Sequence, residues 1–259
     1  MRYLFRPIQY IYSIYAFIIF LVFMFLLFPL VVICSFFGKI RGGNIVYEIC
    51  RFWADAATFC WGIRHRNIYE SPLDNSKPAV FVFNHISYMD IPVILLSLRK
   101  QHFRVLAKAE MAKIPIFGYI YSTATVMVNR ANTEKRSQSV RILKSVLKKN
   151  ISVVIAPEGT FNMTNQPLKE FYDGAFRIAI ETQTPIRPLL FLDTYDRLNY
   201  KSIFSLSPGK SRTVFLDEIE VSGYGPDDVK ELKQKVYNIM EAALVRYRAA
   251  WISGIQHDR

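Results

Sequence analysis

The sequence is poor in the residues that build metal centres and disulfide frameworks. It holds only three cysteines, Cys34, Cys50 and Cys60, which form no CxxC pair and have no histidine partner at zinc-ligand spacing. Neither a disulfide scaffold nor a metal site is therefore expected, and a reducing cytoplasmic face is compatible with this usage. Acidic residues are also few: 21 Asp plus Glu stand against 33 Lys plus Arg, a net charge of +12. Such an excess suits nucleic acid or an anionic membrane surface. No RNA- or DNA-binding signature is present, so nucleic acid is not expected as a partner. The aromatic share of 15% and an N-terminal run without any charge favour the membrane instead.

That uncharged run covers residues 10–37. A bilayer core takes about 20 apolar residues as helix, so its length suffices to span. It is too long for a removable signal peptide and lacks a small-residue cleavage site. Pro29 is expected to interrupt it, leaving one segment to Phe28 and a shorter one beyond. Arg2 and Arg6 precede the run, and Lys39, Arg41, Arg51, Arg64 and Arg66 follow it. A single crossing would place the rest of the chain in the cytoplasm, because the heavier positive flank stays inside. Positive charge on both flanks equally suits a kinked hairpin that dips into one leaflet and returns. A second, amphipathic helix is expected over 44–63, with Val46, Ile49, Phe52, Trp53, Ala56, Phe59 and Cys60 as its apolar stripe. Its tryptophans Trp53 and Trp61 and its basic end Arg64-His65-Arg66 suit an interfacial helix against anionic headgroups, with His65 at the surface.

Residues 71–78 are turn-rich and mark the boundary between an anchor, 1–70, and a second domain, 71–259. Beyond it strand-like runs at 79–83, 104–107, 125–128, 152–156, 188–192 and 213–216 alternate with helix-like runs at 92–98, 133–149, 174–182 and 226–251. This alternation predicts an α/β layered domain, a largely parallel sheet flanked by helices, preceded by a hydrophobic two-helix membrane anchor. In such sheets ligands bind beyond the carboxyl ends of the strands.

The segment Asn84-His85-Ile86-Ser87-Tyr88-Met89-Asp90 falls at one such end. Asp90 reads as the N-cap of a following helix with Pro92 in its first turn. His85 and Asp90 then flank one strand-to-helix turn, close enough for the carboxylate to take the proton of one ring nitrogen and leave the other free as a base. No G-x-S-x-G elbow surrounds Ser87, which reads as a turn residue. Lys108 and Arg130 stand near two further strand ends. Pro157-Glu158-Gly159-Thr160 at another adds a close backbone approach at Gly159 and a hydroxyl at Thr160, together a cradle suited to a phosphate. Glu158 suits orienting a substrate hydroxyl or pairing with a cation.

The Asn-His-x4-Asp spacing, followed downstream by Pro157-Glu158-Gly159-Thr160, resembles the glycerolipid acyltransferase family, whose bacterial type member acylates lysophosphatidic acid. The likeness covers most of 78–192 and includes Lys108-Ala109-Glu110-Met111, Ile114-Pro115-Ile116-Phe117-Gly118, Val128-Asn129-Arg130 and Ile186-Arg187-Pro188-Leu189. It implies a membrane-bound enzyme that moves an acyl group from acyl-CoA or acyl-ACP to the free hydroxyl of 1-acyl-sn-glycerol-3-phosphate in phospholipid biosynthesis. His85 would be the general base, Asp90 its partner, and Lys108 and Arg130 ligands of the acceptor phosphate. It further implies a monotopic anchor of two hydrophobic helices among membrane lipids, with the catalytic domain on the cytoplasmic face of the inner membrane. No cofactor is implied; the acyl thioester is a cosubstrate. In one place the chain departs from the pattern: members commonly carry Arg and Ser after Glu-Gly-Thr, whereas this chain has Phe161 and Asn162. That arginine is normally counted among the phosphate ligands, so a lyso-amino-acid lipid, such as a glycine or ornithine lipid, is the alternative acceptor. A non-catalytic lipid-binding membrane protein and a thioester hydrolase are the competing classes.

Overall fold

The structure is a computed structural model and describes residues 2–128 and 133–252. The uncharged run forms one continuous helix, α1 (Arg2–Ser35), with Pro7 and Pro29 inside it, not two segments divided at Pro29. A proline removes one helical hydrogen bond and crowds the preceding turn. Burial offsets that cost here, since Met24, Leu27 and Val31 are buried around Pro29 and the helix packs on its neighbour α2 (Gly43–Cys60). The turn between them is tight. A Cβ on Gly42 would meet the Cys34 carbonyl, and one on Gly43 the Arg104 guanidinium. Arg104 in turn donates to the Lys39 and Ile40 carbonyls and to Asn44 Oδ1, fastening this hairpin to the sheet.

The buried face of α2 also differs from the expected stripe. Val46, Tyr47, Ala54, Ala57 and Thr58 point inward, while Phe52 and Phe59 point out, Phe59 being 85% exposed. Small residues at 54 and 57 permit close approach to the body of the protein, and Phe52 and Phe59 are left outside.

The chain continues through β1 (Ile63–Tyr69), β2 (Val80–Phe83), α3 (Asp90–Ser97), β3 (Phe103–Lys108), α4 (Phe117–Ala124), β4 (Val126–Val128), α5 (Thr133–Leu147), β5 (Ser152–Ile155), α6 (Gly174–Thr182), β6 (Ile186–Phe191), α7 (Thr194–Arg197), β7 (Gly209–Phe215) and α8 (Val229–Arg246). Seven strands form one sheet in the order β1-β7-β6-β2-β5-β3-β4, parallel except at the β6–β7 pair. The sheet is sandwiched. Val80, Val82, Val153 and Ile155 join a core with residues of α5, α6 and α8, and Phe81, Phe83 and Val154 join another with residues of α2 and α3. Alternate residues of a strand face opposite sides, so continuous apolar runs are what a doubly covered sheet requires.

Strand β1 was not expected, because Arg64-His65-Arg66 reads as a basic helix end. It is an edge strand that pairs with β7 from Ile63↔Gly209 to Tyr69↔Phe215. Arg64 and Arg66 are exposed, and charge on an edge discourages pairing with other chains. His65 is turned inward rather than lying at the surface. Its ring nitrogens meet Ser211 Oγ at 3.2 Å and Asn67 Oδ1 at 2.8 Å, and burial lowers its pKa. Strand β1 lies ahead of the 71–78 turns, so the sheet takes in residues 63–69.

Candidate active site

Asn84 ends β2 in a buried position and ties it to β6. Its side-chain amide donates to the Phe191 carbonyl at 3.2 Å and its Oδ1 accepts the Phe191 N–H at 2.8 Å. The chain therefore leaves the sheet at a fixed point, and His85 follows at the carboxyl end of β2. Asp90 is the first residue of α3 rather than its cap, the capping position being Met89. Its carboxylate points back along the chain. Oδ2 accepts from His85 Nδ1 at 2.8 Å, from the Ile86 N–H at 2.9 Å and from the Ser87 N–H at 3.0 Å. The two peptide donors hold the carboxylate against the ring, which is why a group expected to cap α3 serves the turn before it. Ser87 remains a turn residue: its hydroxyl accepts the Met89 N–H at 2.9 Å and donates to the Leu198 carbonyl.

With Nδ1–H donated to Asp90, Nε2 of His85 carries a lone pair. The imidazole is 25% exposed, against 1% for the Asp90 side chain, so a molecule from outside can reach the ring but not its partner. Phe161 lies over the ring at 4.4 Å between centroids, Tyr88 meets Phe161 edge-on at 5.0 Å, and Phe83 closes another side at 5.6 Å. Phe161 thus touches the imidazole directly.

The second motif, after β5, holds the peptide of His85 rather than its ring. Glu158 is buried; Oε1 accepts the His85 N–H and Oε2 the Lys169 N–H, both at 2.8 Å. Both oxygens accept from backbone donors, and among the described residues no cationic side chain forms an ion pair with Glu158. Burial is the largest influence on it and pushes its pKa up to about 7, against the pull of those two N–H groups. Asn162 N–H donates to the His85 carbonyl at 2.7 Å. Gly159 has φ +72°, which lets the chain turn back after Glu158. Thr160 is exposed, and its Oγ1 accepts from Lys169 Nζ at 2.7 Å.

The structure therefore brings together His85, Asp90, Glu158, Gly159 and Thr160 from the residues anticipated. Lys108 ends β3, exposed at the same end of the sheet, without a hydrogen bond or ion pair to the His85 cluster. Arg130 lies outside the described residues. Sequence reasoning missed the roles of Asn84, Asn162 and Lys169. Only Asn84 carried a local signal, a polar residue closing an apolar strand; the other two act through contacts that no spacing announces.

Residues 64–192 match the family model described as Acyltransferase. A putative 1-acyl-sn-glycerol-3-phosphate acyltransferase of Caenorhabditis elegans is 30% identical over 206 residues, which span 78% of this chain and 71% of that protein. The 1-acyl-sn-glycerol-3-phosphate acyltransferase of Haemophilus influenzae is 29% identical over 225 residues, 82% of this chain and 91% of the relative. Among solved structures, the 1-acyl-sn-glycerophosphate (LPA) acyltransferase PlsC from Thermotoga maritima shares the fold with a TM-score of 0.73 at 22% identity, covering 97% of this chain and 99% of that one.

Proposed function

Because the chain belongs to the acyltransferase family, we propose that it moves a fatty acyl group from an acyl thioester to the free hydroxyl of 1-acyl-sn-glycerol-3-phosphate, giving phosphatidic acid. The observation that carries this reading is the 2.8 Å bond from His85 Nδ1 to the buried Asp90 carboxylate at the carboxyl end of parallel strands. His85 Nε2 takes the proton of the acceptor hydroxyl as its oxygen attacks the thioester carbonyl. The tetrahedral intermediate then collapses, breaking the carbon–sulfur bond, and His85 passes its proton to the leaving sulfur, so that the thiol departs and the neutral imidazole returns. Asp90 holds the tautomer and offsets the positive charge of the imidazolium. The scheme asks for no metal or redox cofactor; acyl-CoA or acyl-ACP is the cosubstrate. Lys108, Arg130 and the Thr160 hydroxyl are suited to the acceptor phosphate.

The anchor fits a monotopic enzyme that works on membrane lipids from the cytoplasmic face. Pro7–Ser35 is apolar and long enough to cross a bilayer. Both ends of α1 are nevertheless tied to the body: Gln9 donates to the Ser205 carbonyl, Tyr10 contacts Phe204, and Ser35 bonds Tyr119. A helix of 34 residues is about 51 Å long, against a hydrocarbon core of about 30 Å. Crossing would drag the Phe204 and Tyr119 segments into lipid with it. Lying in one leaflet keeps those contacts and buries the outward row Ile11, Ile18, Val22, Phe25 and Ile33, all exposed. An apolar cavity of about 110 Å³ between α1, α2 and α4, lined by Phe23, Leu27, Trp53, Phe117 and Ala124 among others, is where we place part of an acyl chain.

A second reading, a lyso-amino-acid lipid as acceptor, is favoured by Phe161 in place of the family arginine. The deciding experiment offers lysophosphatidic acid and lyso-glycine lipid side by side to the detergent-solubilised protein, with acyl-CoA and acyl-ACP as donors. We expect transfer to lysophosphatidic acid and a loss of roughly a thousandfold in His85→Ala. Transfer to the amino-acid lipid alone supports the second reading. Undiminished thioester cleavage without any acceptor means a hydrolase, and equal activity in wild type and variant sinks the mechanism.

A further inference from the structure

We propose that Lys169 is an acceptor-binding residue whose ammonium, together with the Thr160 hydroxyl, takes the phosphomonoester of the lysolipid. The inference rests on the lysophosphatidate reading above. It starts from the two residues that follow Thr160, Phe161 and Asn162, and from what each does. Phe161 places an aromatic ring on His85. Asn162 builds a turn: its Oδ1 accepts from the Thr164 N–H at 3.0 Å and the Thr164 hydroxyl at 2.6 Å, and its Nδ2 donates to the Gln166 and Pro167 carbonyls. Leu168 is then buried, and the chain re-enters the site at Lys169. The loop closes where Tyr172 N–H meets the Pro157 carbonyl at 2.9 Å. The turn that Asn162 builds thus brings a cation back to Thr160.

Lys169 is held where such a ligand is needed. Its peptide N–H is on Glu158 Oε2, and the other oxygen of Glu158 holds the His85 peptide, so one buried carboxylate fixes the separation of the two backbones that carry cation and base. Its Nζ donates to Thr160 Oγ1 at 2.7 Å. Among the described residues no carboxylate pairs with it, whereas Lys233 is neutralised by Asp173 at 2.8 Å and Lys144 by Glu181. An ammonium has three donors; one goes to Thr160 and two are left for phosphate oxygens. Thr160, accepting from Lys169, keeps its own O–H to donate. A cation bonded to a neutral oxygen loses little when it turns to a dianion, and charge-assisted bonds to phosphate are the stronger kind.

The test is steady-state acyl transfer by the full-length, detergent-solubilised protein and three variants: Lys169→Ala, Lys169→Arg, and Phe161→Arg combined with Lys169→Ala. The hydrogen bond from the Lys169 backbone N–H to the Glu158 carboxylate is kept in all of them, and melting temperatures check the fold. For Lys169→Ala the expected result is a KM for lysophosphatidic acid raised roughly tenfold to a hundredfold with kcat nearly unchanged. Transfer to 1-acylglycerol, which lacks the phosphate, should be equal in wild type and variant. Lys169→Arg should stay close to wild type, and Phe161→Arg should reverse most of the KM increase caused by Lys169→Ala. An unchanged KM overturns the proposal, as does an increase confined to the acyl donor, whose phosphates would then be the ligand. If wild type itself ignores lysophosphatidic acid, the acceptor assignment falls and this inference with it; if wild type uses it and Lys169→Ala matches wild type, only the inference falls.

Discussion

Two segments at the carboxyl ends of neighbouring strands hold His85, and they hold different parts of it. The turn after β2 grips the ring through Asp90, five positions along the chain. The loop after β5 grips the peptide through Glu158 and Asn162, which lie more than seventy positions away. The first is local chemistry and follows from spacing. The second exists only because β2 and β5 pair in parallel, Val82 opposite Ile155, so that their following residues emerge side by side. The ring grip sets which nitrogen is basic; the peptide grip sets where that nitrogen stands.

Breaking the ring grip should have the largest effect. Asp90→Asn keeps the volume but removes the charge from an oxygen that takes three donors. The amide cannot offset an imidazolium, and its NH₂ competes for the Nδ1 position. We expect kcat lower by about a thousandfold or more, measured as acyl transfer with the melting temperature followed in parallel. Activity within tenfold of wild type would mean that the ring does not need its carboxylate, and the comparison would collapse into one of packing alone.

Loosening the peptide grip should cost less and show itself in pH dependence. Burial raises the Glu158 pKa from the ordinary 4.5 to about 7. The folded protein therefore holds this proton more tightly than the unfolded chain does. That contribution to stability is fully present below about pH 4.5 and is lost as pH rises through about 7, on the order of 3 kcal/mol in all. Glu158→Gln cannot ionise, so it should lack this part of the decline. Its amide presents donors to one of two peptide N–H groups, and we expect kcat about tenfold lower. Calorimetric melting at about pH 5 and pH 8 separates the two proteins; parallel declines in wild type and variant would show that Glu158 does not titrate in that window.

The same contrast explains what the sequence disclosed. The His85–Asp90 pair, the parallel sheet and its site end were legible because apolar runs and a five-residue spacing are local signals. Strand β1 was not, since His65 and Asn67 fill the inward positions where an apolar alternation would normally show, satisfied by Ser211 and Ser97. The unbroken passage of α1 through Pro29 was hidden for a related reason: the residues flanking the proline are buried against α2 and α4, elements distant from it in sequence. Lys169 belongs to this class as well, being brought to Thr160 by a turn that Asn162 creates.

Asn84 sharpens the distinction, because it neighbours His85 in sequence yet acts across the sheet. Its two bonds to the Phe191 backbone are buried, so Asn84→Ala leaves a buried N–H and C=O unpaired. That costs about 1–3 kcal/mol, or a fall in melting temperature of roughly 2–10 °C for a chain of this size. The ring grip of Asp90 is untouched, and kcat should stay within about tenfold of wild type. The outcome is the inverse of Asp90→Asn: stability lost and chemistry largely kept. A loss of activity matching that of Asp90→Asn, without a lower melting temperature, would place Asn84 in the chemistry and show that the whole 84–90 turn works as one unit on the ring.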